Sequence, residues 1–154
     1  MDPADRHAAL AEARRVLRPG GVVLAAAISR FASTIDGLAK EAIADPEFER
    51  MVVGDLATGR HINPDPAAHP EWFTTAYFHR PGELADEIRG AGLALEALVA
   101  VEGVGVFVRE PDRWLDDPVL RVRLMDAIER VESEPELIGS SPHILAVARV
   151  GVGG

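Results

Sequence analysis

Leu17-Arg18-Pro19-Gly20-Gly21-Val22-Val23-Leu24-Ala25-Ala26-Ala27-Ile28 is the stretch whose reading decides the fold. A helical pattern runs up to it and an unbroken apolar run leaves it, so it reads as a helix stop, a tight turn and a strand. Pro19 cannot continue a helix, because its ring clashes and its nitrogen carries no hydrogen, and Gly20 and Gly21 let the backbone reverse at positive φ. A strand with no polar face needs a layer above and a layer below. The expectation is a strand buried on both faces at the centre of an α/β sheet.

Toward the amino end, Asp2-Pro3-Ala4-Asp5 supplies an N-cap acceptor, a proline at the first turn and a carboxylate near the positive helix end. Leu10, Ala13 and Leu17 then share one face, and Arg14, Arg15 and Arg18 form a solvated cationic helix end. Toward the carboxyl end, Ser29-Arg30-Phe31 follows the strand where open α/β sheets bind ligands. Residues 31–43 and 46–57 read as two helices divided by Asp45-Pro46, with Ile35, Leu38, Ala39 and Ile43, then Phe48, Met51 and Val52, as packing positions. They form a helical insertion over the strand ends, placed as a lid.

Between Thr58 and Thr75 the pattern dissolves among Gly59, Asn63, Pro64, Pro66 and Pro70, and a loop of that length is functional or mobile more often than ordinary. His61 and His69, with Asp55 or Asp65, match no known spacing of metal ligands, and solvated loop histidines are expected. Thr74–His79 reads as a short extended piece, and Pro81 opens a helix with Leu84, Ala85 and Ile88 inward, ended by Gly90 and Gly92. Leu93–Val101 alternates as a strand, with Glu96 placing it near a sheet edge. Asp117-Pro118 opens a long helix with Leu120, Leu124, Ile128 and Val131 inward. Gly139-Ser140-Ser141-Pro142 is a turn, and the continuous run inside His143–Val150 predicts a last, fully buried strand.

Glu102-Gly103-Val104-Gly105 has the look of a glycine-rich cofactor loop, but such a loop must open directly into a helix, and Val106-Phe107-Val108 with Glu110-Pro111 after it provides none. A hydrolase built from His79, His143, a serine and an acid lacks a Gly-x-Ser-x-Gly elbow.

Composition narrows the classes. The 154 residues suit one domain, and 47% hydrophobic residues suffice for a core. A formal charge of -9 opposes binding to phosphate backbones or anionic membranes, so neither nucleic acid nor membrane is an expected partner. With no cysteine there is neither a disulfide nor a thiolate site, which suits a cytoplasmic protein. The apolar run Val22–Ile28 falls far short of the roughly 20 residues of a membrane span.

The segment from Ala9 to Leu24 resembles the region of class I S-adenosylmethionine-dependent methyltransferases in which a helix, an L-x-PGG turn and strand five follow one another, especially the small-molecule branch related to quinone-biosynthesis enzymes. Arg30-Phe31-Ala32, Tyr77-Phe78-His79-Arg80-Pro81, Glu132-Ser133-Glu134-Pro135 and Ser140–Arg149 are similar to that branch in the same order. The resemblance spans nearly the whole chain but only the carboxyl-terminal part of the family's domain. It implies a partial Rossmann-like α/β fold in residues 1–150, with strands five, six and seven, a lid insertion at about 31–76 and a tail at 151–154. Strand seven, at 143–150, would run antiparallel between 22–28 and 93–101. The family's cofactor loop and its ribose-binding acid lie upstream of the matched region. The cofactor of the complete enzyme would be S-adenosylmethionine, and this chain alone is expected to bind none tightly.

Methyl transfer from a sulfonium needs alignment and exclusion of water rather than a dedicated triad. The expected acceptor site joins Arg30 and Phe31, at the strand end, to Trp72, Tyr77 and His79, returning from the lid loop. In it Arg30, Phe31, Trp72 and Tyr77 bind a small-molecule acceptor and His79 is the catalytic base; no cofactor-binding or metal-binding residue is expected. The other reading of the aromatic residues is that they fasten the lid to the core. Two functions follow: the substrate-side portion of such a methyltransferase, inactive as an isolated chain, or a non-catalytic remnant or interaction module with the same half-fold. Without strand four, the edge of 22–28 is expected to pair with another copy.

Overall fold

The computed structural model describes residues 2–151; the expected tail beyond Gly151 lies outside the described residues. Three Asp-Pro pairs start helices in the same way. Asp2 accepts from the Ala4 N–H and opens α1 (Pro3–Val16), Asp45 accepts from Glu47 and opens α3 (Pro46–Thr58), and Asp117 accepts from Val119 and Leu120 and opens α6 (Pro118–Glu129). After α1, Gly20 takes φ 77°, and the turn is tied to the last strand by hydrogen bonds from Gly20 N to Val150 O and from Val150 N to Gly21 O, each 2.9 Å.

β1 (Val22–Ser29) follows, then α2 (Ala32–Ala39), a single 3-10 turn at Ala42–Ala44, α3, the two-residue β2 (Arg60–His61), and β3 (Ala76–His79). α4 (Pro81–Gly90), β4 (Leu93–Ala100), a 3-10 turn at Gly103–Phe107, α5 (Pro111–Asp116), α6, α7 (Pro135–Ile138) and β5 (His143–Val150) complete the chain. The result is an α/β arrangement with one mixed five-stranded sheet in the order β2-β3-β1-β5-β4. β5 runs antiparallel between β1 and β4, pairing Leu24 with Val147 on one side and Val99 with Leu145 on the other. β3 joins β1 in parallel, through Ile28–Phe78 and Ser29–His79. At Glu96 the β4 register slips by a bulge, and its carboxylate takes Arg149 Nε at 2.6 Å, which blunts the edge strand.

One face of the sheet carries the core. Val23, Ile144, Ala146, Ala148 and Leu93 pack there against Leu84 and Ile88 of α4, with Leu10 and Ala13 of α1 at the margin. A second, smaller cluster of Phe48, Met51, Val52 and Trp72 ties α3 to the loop before β3.

The other face corrects the expectation of strands buried on both sides. β1 alternates, and Leu24 is 65% exposed with Val22 beside it also exposed. β5 alternates likewise, with Ile144, Ala146 and Ala148 buried and Leu145 and Val147 half-buried. The apolar run marks a strand suited to two layers, but the described residues supply a full layer on one side only. The free edge of β1 is also shorter than expected, because β3 takes its carboxyl end. No helix of the described residues is long and apolar enough to cross a membrane.

Candidate functional site

Where β1 and β3 end side by side, the chain builds a cavity of 370 Å³ on the sheet face opposite α4. Its floor is Ile28 and Phe78, paired across the two strands; one wall is Ser33 and Asp36 at helical spacing on α2 with Lys40 just past its end, and the other is Trp72 and Phe73. Phe48 of α3, Val106 and His143 close the rim. The size and the apolar lining with a few polar groups are those of a small-molecule site, and parallel strands ending at a cavity are where α/β sheets place one.

The loop forming this wall is pinned. Asn63 Nδ2 donates to the carbonyls of His69 at 2.7 Å and Phe73 at 2.9 Å, and its Oδ1 accepts from Asp65 N at 3.0 Å. Phe73 sits at φ 70°, a strained setting for a large side chain, while Trp72 is stacked on His69 and meets Phe48 edge-on. Gly59 ends α3 at φ 74°, and a Cβ there would run into the Arg30 guanidinium.

Behind the cavity lies a polar group that replaces the expected solvated histidine. His61 is 2% and Asp55 1% exposed. His61 Nδ1 meets Asp55 Oδ2 at 2.8 Å, its Nε2 meets the Trp72 carbonyl at 2.8 Å, and Ser33 Oγ donates to the same Asp55 oxygen at 2.6 Å. The Trp72 carbonyl cannot donate, so Nε2 carries a proton, and an ionised Asp55 accepts a second one from Nδ1. Burial pulls the His61 pKa down, yet the bonds to Asp55 and the Trp72 carbonyl outweigh it and leave the pKa raised. The ring lies flat on Phe78, centroids 4.5 Å apart. Here the carboxylate stands between serine and histidine, and Nε2 is occupied, so Ser33 has no base to activate it and the trio is not a hydrolytic triad. No group of three or more metal-ligating side chains is placed to hold an ion among the described residues.

Of the five residues proposed from sequence, Trp72 borders this cavity. Arg30, Tyr77 and His79 gather instead on the α1 and α4 side, because Tyr77 and His79 are two apart on β3 and face away from Phe78. Arg30 is buried, donating through Nε to the Phe78 carbonyl at 2.8 Å and through its terminal nitrogen to Glu83 at 2.6 Å and the Tyr77 hydroxyl at 3.1 Å. Arg6 of α1 lies 3.6 Å above the Tyr77 ring and pairs with Glu87 at 2.7 Å. His79 Nε2 donates to Glu87 at 3.1 Å, its Nδ1 is buried without a partner, and burial, outweighing Glu87, lowers its pKa. Phe31 packs against Gly139 under the Arg80 guanidinium.

Sequence reading did not single out Ser33, Asp55 or His143 as site residues. Ser33 and Asp36 at helical spacing after a strand end are a weak signal, and the Asp55–His61 contact depends on a two-residue strand with no pattern of its own. In comparison with known proteins, the chain matches no protein-family model and no curated protein.

Proposed function

We infer that this chain is the substrate-side portion of an S-adenosylmethionine-dependent methyltransferase acting on a small molecule, with a Rossmann-like sheet. The observation that carries the reading is the 370 Å³ cavity at the joined carboxyl ends of β1 and β3, roofed by the helices that directly follow β1. The antiparallel insertion of β5 between β1 and β4, and the resemblance of the β1 and β5 regions to that family, agree with it. In this reading α2, α3 and the pinned loop are the lid, and the chain's own residues bind the acceptor, orient it and exclude water.

The described residues do not fit the methyl donor. Gly103 and Gly105 lie in a 3-10 turn packed on Ile128, whose side-chain carbons stand 3.2 Å and 2.8 Å from where a Cβ would be, so these glycines make room for α6. No mechanistic step is therefore assigned to the donor here, and the chain by itself is expected to bind it negligibly.

Because the chain alone is expected to be inactive, the reading is tested on the protein purified through a tag, under mild conditions, from the cells that make it, so that any polypeptide supplying the donor site is carried along. The preparation is incubated with S-adenosylmethionine carrying a labelled methyl group and with a small-molecule extract of those cells. Label in an extracted small molecule supports the reading; none, with the protein folded, overturns it. The exposed face around Val22 and Leu24 favours a second reading, an interaction module, for which a stoichiometric partner without methyl transfer is the expected result.

A further inference from the structure

Phe73 departs from what its place in the chain calls for. It follows the 3-10 turn Pro70–Trp72 at φ 70° and ψ -162°, a region of backbone space that glycine enters freely and a larger residue enters only at a cost. Left to itself, such a residue would hold this conformation about one time in ten or less. Two buried side chains hold it there from both sides. His61 Nε2 donates to the Trp72 carbonyl at 2.8 Å and Asn63 Nδ2 donates to the Phe73 carbonyl at 2.9 Å, so the peptide groups before and after the strained α-carbon are both fixed. Each clamp is itself anchored, His61 to Asp55, and Asn63 to the His69 carbonyl and the Asp65 N–H.

The Phe73 side chain adds little to the core. It is 51% exposed, it belongs to neither hydrophobic cluster, and its ring meets the His61 ring at a tilt with centroids 6.2 Å apart. Trp72, one residue earlier, does the packing, buried between Phe48 and His69. Glycine at position 73 would make the same turn without strain and without an exposed apolar ring. What the strained backbone achieves is to set that ring on the cavity wall that faces α2. A strained residue that its surroundings over-determine is the mark of a side chain positioned for a ligand.

We propose that Phe73 is a ligand-contacting residue of this cavity, and that Asn63 and His61 are positioning residues that hold its ring against the ligand. In the free protein half of the ring is in water; a bound molecule covers it, and the apolar area then removed from water contributes to affinity. Because the backbone is already clamped, the ligand meets this wall in its bound form, and no ordering of the loop is needed at binding. With a clamp removed, residue 73 relaxes to negative φ, which redirects its Cβ and takes the ring off the wall. The proposal rests on the cavity assigned above as the acceptor site and adds the residues that grip its occupant.

The test uses the full chain and N-phenyl-1-naphthylamine, a neutral apolar dye whose fluorescence rises when it leaves water, with amide NMR shifts to locate it. Shifts centred on Ile28, Trp72 and Phe78 are expected. Phe73→Ala should weaken binding about five- to tenfold, the worth of burying half a phenyl ring, and Phe73→Leu should restore most of it. The strain is read separately: Phe73→Gly should withstand urea better than Phe73→Ala, the reverse of their order at an unstrained position. Asn63→Asp keeps the acceptor for the Asp65 N–H but loses both donations, and should weaken the dye about as much as Phe73→Ala. Combined with Phe73→Ala it should add little, because Asn63 acts through the ring, whereas a merely structural Asn63 gives additive losses. Dye bound outside the cavity or not at all, unchanged affinity in Phe73→Ala, Phe73→Ala more stable than Phe73→Gly, or additive losses in the double variant would overturn the proposal. Phe73 lies outside the core, so the comparison of wild type with Phe73→Ala stands even where Asn63→Asp fails to fold. The dye needs no methyl donor, so label transfer by the native preparation is read independently of it.

Discussion

His61 and Asp55 form a buried ion pair, Nδ1 to Oδ2 2.8 Å, whose histidine is held on its other side by the Trp72 carbonyl. It is enclosed by α3, β2 and the loop before β3, the elements that shape the cavity, so the charge state of one histidine is coupled to the wall of the site.

Two buried histidines should therefore titrate in opposite directions. His61 has a pKa raised above about 6.5, so its contribution to stability is complete below that value and is lost as pH rises through its folded value. His79 has a pKa lowered from about 6.5, so its contribution is present above that value and is lost as pH falls toward its folded value. Ring proton shifts followed across the neutral range should show His61 still cationic where His79 is neutral. Coincident titration of the two would contradict the hydrogen-bond assignment.

Removing the carboxylate should be costly. Asp55→Ala leaves the His61 cation buried without its counter-charge, and a loss of about 3–5 kcal/mol in urea unfolding is expected. Asp36→Ala, which breaks the exposed pair with Lys40 at 2.9 Å, should cost about 0–1 kcal/mol. A similar cost for both would show that the buried pair is not an isolated charge pair.

Much of this architecture is legible in the chain. The PGG turn, three Asp-Pro starts and the alternation around Glu96 carry local causes that survive folding, and they place β1, β4, β5, α1, α3, α4 and α6 close to their observed bounds. By contrast, α2 stops at Ala39 instead of reaching residue 43, and the short α5, which starts at Pro111 where no helix is expected, and α7 are not read from the sequence. Full burial of β1 and β5 was not legible, because an apolar run reports what a strand tolerates and not which layers are present. The acceptor cluster split for a related reason. Period-two alternation sends Tyr77 and His79 to one side of β3 and Phe78 to the other, and only the pairing of β3 with β1 decides which side holds the cavity. The ring of His143 is aligned by Glu102, forty-one positions earlier, a contact created by strand pairing alone.

The open sheet face should make the chain self-associate. Leu24, with Val22 beside it, is exposed on β1, and among the described residues no strand pairs with the β3-side edge of β1 before Ile28. Light scattering should report a mass that rises with concentration, and Leu24→Lys should suppress the rise. A wild-type chain that stays monomeric at high concentration would contradict this.

The central claim, that the cavity under α2 receives the methyl acceptor, is tested most directly by filling it. Ala39 borders the cavity from an exposed position near the end of α2, where a larger side chain does not disturb the core. Ala39→Trp is compared with the wild-type protein, each purified from its own cells and given the labelled methyl donor and the same extract, with thermal unfolding measured in parallel. Loss of most label transfer at an unchanged unfolding temperature is the predicted result; transfer at the wild-type rate by a folded Ala39→Trp protein would contradict the account.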